Sequence, residues 1–276
     1  MRKEIIFFVW ILLILSFVSG ARANEINVTD SCTQDMTPIL EKKINAYRIR
    51  ISRDQDHVCQ QVEILKENRV LFQEEGFDHH YSYFHLDPKN HGTQFVVKRF
   101  TGGAHCCTSL LIFDLGGEFK KISEVDGRNF EPEIVDLDHD GVPEVRVTDD
   151  FLAYAFSSFG YSATADVILK YGNGRYSIAP EFMAKPAPNP KTLKIKITRW
   201  QKLLRQKKTP DWPPPELIQD FTDLIYSGHK KVALNALELA WPADIEGKSA
   251  FLKSYQESLA DSRYYSEFEK TVSLNR

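Results

Sequence analysis

From about Ala46 to Ala179 the chain alternates short apolar runs with clusters of turn residues. Tyr47–Ile51, Gln94–Phe100, Leu110–Phe113 and Val167–Leu169 are rich in β-branched and aromatic residues, which predicts strands. Beyond the proline-rich stretch from Ala184 to Pro190 the period changes. Leu193, Ile197, Trp200 and Leu204 recur at helical spacing, as do Leu217, Phe221, Leu224 and Ile225, and then Phe251, Leu252, Tyr255 and Leu259. Val232 to Trp241 reads as a further helix, with Gly228 before it and Pro242 after it. The expected class is α+β, with a β-rich region over 24–183, a linker and basic amphipathic helix over 184–215, and a helical region over 216–276.

Three hairpin-like segments resemble one another: Glu63–Val70, Leu111–Phe119 and Ile168–Tyr176. Their centres lie about 50 residues apart, near the length of one propeller blade. The expectation is three antiparallel units, propeller-like or sandwich-like. Three fall short of the four to eight blades of a closed propeller.

Charge and leader composition narrow the setting. Arg2 and Lys3, an apolar Ile5–Phe17 and Ala21-Arg22-Ala23 have the pattern of a signal peptide over 1–23, cleaved near Ala23. The expected location is therefore periplasmic or secreted. Leaving out Arg2, Lys3, Glu4 and Arg22 moves the formal net charge from −3 to about −5. That balance offers no general attraction to nucleic acid. The segment Lys191–Lys208 is the exception, with basic residues and no acid, and could touch an anionic membrane surface or cover a sheet.

The most specific pattern is Asp136-Leu137-Asp138-His139-Asp140-Gly141-Val142-Pro143-Glu144. Alternate acids, a sharp-turn glycine and a closing glutamate suit a hard cation with oxygen ligands. Asp136, Asp138, Asp140 and Glu144 would supply side-chain oxygens and Val142 a backbone carbonyl. Calcium is favoured over magnesium because an all-protein oxygen cage suits the larger ion. An EF-hand would need an acid at the twelfth position, where Val147 stands, and flanking helices, where Ile134-Val135 and Val145-Arg146-Val147 read as strands. Leu86–Gly92 looks like a decayed copy, with Asp87 and Gly92 kept.

These residues carry a resemblance. The acidic loop entering a strand resembles the calcium loops of FG-GAP/VCBS-type β-propeller repeats. Together with Gly102-Gly103-Ala104-His105-Cys106-Cys107 it is similar to a group of uncharacterised exported bacterial proteins. The resemblance implies a calcium site on a secreted β scaffold and brings no activity with it. Propeller repeats recur several times, whereas one intact loop stands here.

In an oxidising compartment the four cysteines, Cys32, Cys59, Cys106 and Cys107, are expected to pair. Cys32–Cys59 with a vicinal Cys106–Cys107 bridge is the favoured connectivity; the others tie Cys32 and Cys59 each to one member of the doublet. Gly102, Gly103 and His105 make this a candidate functional loop, and His105-Cys106-Cys107 centres the rival reading of a thiol- or metal-dependent enzyme or redox protein, aided by Asp149 or Asp150. Three adjacent residues wrap a tetrahedral ion poorly. His79, His80, His85 and His91 match no ligand spacing, and Phe151, Tyr154, Phe156, Phe159 and Tyr161 form either core or a contact surface. Neither a nucleophile-elbow serine motif nor a phosphate-binding glycine loop is present. The functional expectation is a non-enzymatic, calcium-stabilised scaffold for a protein or glycan partner.

Overall fold

A computed structural model describes residues 35–56, 59–76, 78–84, 94–101, 107–206 and 212–274, with backbone alone over 78–84 and 273–274. The leader over 1–23, Cys32, the loop over 102–106 and the 85–93 segment lie outside the described residues, as do the side chains of His79 and His80.

Among the described residues the β region has twelve strands in three sheets of four, each an antiparallel meander in chain order. The first sheet holds β1 (Thr37–Ile44), β2 (Tyr47–Arg53), β3 (Gln60–Lys66) and β4 (Arg69–Gly76). The second holds β5 (Asp78–Phe84), β6 (Gln94–Phe100), β7 (Thr108–Asp114) and β8 (Lys120–Arg128). The third holds β9 (Glu133–Val135), β10 (Glu144–Asp149), β11 (Ala165–Gly172) and β12 (Arg175–Ile178). The three hairpins picked out in the sequence are β3–β4, β7–β8 and β11–β12, the closing hairpin of each sheet. The repetition is therefore topological as well as local. Strand β1 lies within the expected β-rich region over 24–183 but before the apolar runs that predict strands, and the reason is physical. It is an edge strand with Ile44 alone buried, and Glu41, Lys42 and Lys43 line it in the way charged residues blunt sheet edges.

In the second sheet β6 and β7 are apolar on both faces, which explains their unbroken runs. Phe95, Val97, Leu111 and Phe113 join Ile49, Ile51, Val62 and Ile64 of the first sheet in one core. Val96, Leu110, Ile112 and Val125 join Val145, Val147, Val167 and Leu169 of the third sheet in another. At period two, adjacent residues face opposite ways, so a strand between two layers must be hydrophobic throughout. Further ties run between sheets: Tyr47 donates from its hydroxyl to the Gly117 carbonyl at 2.6 Å, and the Tyr176 amide donates to Ser123 Oγ at 3.1 Å.

Helices extend the second core beyond the third sheet. They are α1 (Pro180–Met183), α2 (Pro190–Gln206), α3 (Pro215–Tyr226), α4 (Lys230–Ala240), α5 (Lys248–Ala260) and α6 (Tyr265–Leu274). Both α1 and α3 pack against β11, and α6 against β12. The basic helix is α2. Its Trp200 and Leu204 are buried, and Asp220 of α3 receives the Trp200 indole N–H at 2.9 Å and the Lys196 ammonium at 2.6 Å, with Arg199 also paired to it. Ile195 of the same helix is exposed. No helix among the described residues is long and apolar enough to cross a membrane.

A buried carboxylate joins sheet to helices. Asp149, at the end of β10, accepts from the Tyr226 hydroxyl at 2.6 Å and from Ser262 Oγ at 2.5 Å, both on one oxygen. Burial pushes its pKa up, and the two hydroxyls oppose that shift. A carboxyl with a raised native pKa keeps its proton longer in the folded chain than in the unfolded one. Stability from this group is therefore full below the ordinary value of about 4 and is lost as pH rises through the raised native value. Asp149→Asn keeps an oxygen for both hydroxyls and removes the charge. Urea titrations across that window should show the pH-dependent decline flattened. Tyr226→Phe, which leaves the carboxylate short of a donor, should cost about 1–3 kcal/mol at neutral pH.

Candidate metal centre

The acidic loop occupies the turn between β9 and β10, and β10 pairs with β9 on one side and β11 on the other. Strands flank it as the sequence indicates. The chain enters left-handed conformations at His139 (φ 58°) and Gly141 (φ 85°), which fold the turn back on itself.

Each of the four acids has one oxygen held by a backbone amide of the loop. The Gly141 amide donates to Asp136 Oδ2 at 3.1 Å, and the Asp140 amide to Asp138 Oδ1 at 3.3 Å. The Val142 amide donates to Asp140 Oδ1 at 2.8 Å, and the Leu137 amide to Glu144 Oε2 at 2.8 Å. These bonds fix the carboxylates and leave the second oxygen of each to other partners. Asp136 Oδ1 and Glu144 Oε1 are buried and receive no hydrogen bond from the described residues. Glu144 as a whole is fully buried. A buried acceptor without a donor costs free energy, and a buried carboxylate costs more, unless positive charge stands beside it.

Oxygens of Asp136, Asp138 and Glu144 lie within 4.8 Å of one another. Two oxygens each 2.3–2.6 Å from a single calcium ion can be at most about 5 Å apart, so the three fit one ion. Asp140 stands outside this group of three, with its second oxygen 3.3 Å from the ammonium of Lys170. Val142 is placed in the turn with its amide on Asp140.

Lys170 was not among the site residues expected from sequence. Its Nζ lies 2.5 Å from Asp138 Oδ2, 3.3 Å from Asp140 Oδ2 and 3.5 Å from Glu144 Oε1. Hydrogen bonding to Asp138 is the main cause that raises its pKa, and the same bond lowers the pKa of Asp138. The signal that would have found Lys170 is strand register. Val145 pairs with Leu169, so one further step brings Glu144 beside Lys170.

The second unusual stretch can be followed only at its ends. The amide of Thr101 donates to the Cys107 carbonyl and the amide of Asp54 to the Cys59 carbonyl, both at 3.1 Å. In return Cys107 N donates to Thr101 Oγ1 and Cys59 N to Asp54 Oδ1. The loops between second and third strands of two sheets are thus closed in the same way. No cysteine among the described residues is free. Cys32, Cys106, His105, Gly102 and Gly103 lie outside the described residues.

The acids named beside that loop in the enzyme reading have structural partners. Asp149 holds Tyr226 and Ser262, while Asp150 pairs with Arg128 at 3.3 Å and accepts from Asn129. The aromatic run divides. Phe151 is buried and Phe156 packs on Trp212, Phe251 and Tyr255, whereas Tyr154 and Tyr161 are 59% and 72% exposed. The chain matches no protein-family model, no curated protein and no solved structure.

Gly141 has open space where a side chain would begin, so substitution there strains only the backbone. Gly141→Ala is expected to lower stability by about 1 kcal/mol, read from the urea midpoint. It should also weaken any response to divalent cations, because the same turn aims the oxygens.

Proposed function

We propose that this chain is an exported, non-enzymatic β scaffold stabilised by one calcium ion and presenting loops to a protein or glycan partner. The observation that carries the reading is the pair of buried acceptors, Asp136 Oδ1 and Glu144 Oε1, beside the Asp138 carboxylate. A single ammonium against four carboxylates leaves the cluster strongly negative, and a divalent cation relieves both the repulsion and the missing hydrogen bonds. Calcium fits the number and flexibility of the protein oxygens better than magnesium, which keeps its water. The likeness of the loop to FG-GAP/VCBS calcium loops agrees with this.

The ion's role would be structural. It closes the turn that sets β9 against β10, and through β10 the third sheet. Binding to the folded chain alone adds about 2.7 kcal/mol when free calcium is a hundred times the dissociation constant. For a chain of this size that corresponds to about 2–4 °C of melting temperature per kcal/mol.

A partner surface is supported at the β10–β11 connection. Tyr154 holds a left-handed backbone (φ 61°), uncommon for a bulky residue, and its amide donates to Ser162 Oγ at 3.0 Å. Its ring meets Phe159, which stacks on Phe130. Exposed tyrosines on a fixed frame offer broad contact area at little entropic cost.

Calcium should raise the melting temperature and chelation should lower it, while Asp136→Asn and Glu144→Gln should remove the response. A chelator-insensitive wild type would refute the reading. Alkylation and mass spectrometry should find no reactive thiol; a labelled Cys106 or Cys107 would point to thiol chemistry instead. Tyr154→Ala with Tyr161→Ala should leave melting unchanged and abolish capture of whichever glycan or protein the wild type retains.

A further inference from the structure

We propose that Lys170 is a built-in competitor of calcium, its ammonium exchanging with the ion at the same carboxylates. The inference rests on the calcium reading above and deepens it.

The geometry sets up a conflict. Nζ touches Asp138 Oδ2 at 2.5 Å, Asp140 Oδ2 at 3.3 Å and Glu144 Oε1 at 3.5 Å. A calcium ion about 2.4 Å from the Asp138 or Glu144 oxygen would lie within about 5–6 Å of that ammonium. The ion and the ammonium would draw on the same oxygens of Asp138 and Glu144 while repelling each other across that distance. Ion entry therefore drives the ammonium out.

An exit is available. Lys170 is partly exposed, and its stem has four flexible carbons. The Phe182 ring centroid is 5.3 Å from Nζ, close enough to hold a cation over its face. Phe182 and Leu137 of the acidic loop both line an open cleft of about 500 Å³ between the third sheet and the helices. The ammonium can leave the acids for this cleft or for water without any strand moving.

Two consequences follow. Displacing a paired ammonium weakens calcium binding, which moves the site towards the millimolar affinities of extracellular modules. The paired ammonium also keeps the turn together when calcium is scarce, so chelation weakens the fold less than it would with a neutral side chain here.

Calcium chloride would be titrated by calorimetry into the full chain as wild type, Lys170→Gln and Lys170→Arg. Lys170→Gln should bind calcium at least about tenfold more tightly than wild type, a difference of about 1.4 kcal/mol. It should also melt lower than wild type in chelator. Lys170→Arg, which keeps the charge, should stay near wild type. On the wild-type chain, acylation of amines followed by peptide mass spectrometry should find Lys170 slow to react in chelator and fast in calcium. This arm needs no variant to fold. Equal calcium affinity in wild type and Lys170→Gln, or Lys170 labelling unmoved by calcium, would overturn the competition while leaving the calcium site standing. Binding by Lys170→Gln alone would support it in its strongest form. Absence of binding in all three would overturn the calcium site, and the competition with it.

Discussion

The architecture depends on two central strands, β6 and β7, that are buried on both faces. Alternate residues of β6 and β7 enter two different cores, so the second sheet must be gripped by a layer on each face. The first sheet supplies one layer and the third the other. The third sheet then has its own outer surface to bury, and the helices take it through α1, α3 and α6. Each layer thus exists because the one before it has an apolar face left over. Packing of this kind tolerates little loss of volume, since interiors are as dense as organic crystals.

That order was partly legible in the chain. The unbroken apolar runs of β6 and β7 announce burial on both faces, and the three similar hairpins mark the end of each sheet. Helical spacing in 190–206 and 215–226 gave α2 and α3, with Trp200, Leu204, Leu217 and Phe221 on their buried sides. What escaped was the edge. β1 carries one buried residue and several charges, and such a strand leaves no alternation to read because its partner's backbone holds it in place. The helix-to-sheet tie at Asp149 escaped as well, since Tyr226 and Ser262 are far along the chain and no spacing links them.

The candidate site was legible in its local part and hidden in its long-range part. Acids and glycine within nine residues declare themselves, because loop geometry follows from sequence separation. Lys170 does not, because it reaches the loop through strand pairing. Its presence changes the physics of the turn from four like charges in search of an ion to a cluster with one resident counter-charge. The amides that hold one oxygen of every acid serve either state, since they fix the carboxylates whatever cation faces them.

The meander order has a consequence for how the molecule assembles. Among the described residues every strand pairs only with its neighbours in sequence, so each sheet closes locally and needs no later segment to complete it. A chain emerging with its amino end first can lay down the sheets one after another. Each new sheet finds the previous one ready as a template. The helices come last and seal the stack, so chains cut short before Pro215 would leave the part of the third sheet that α3 and α6 cover exposed and invite association with one another.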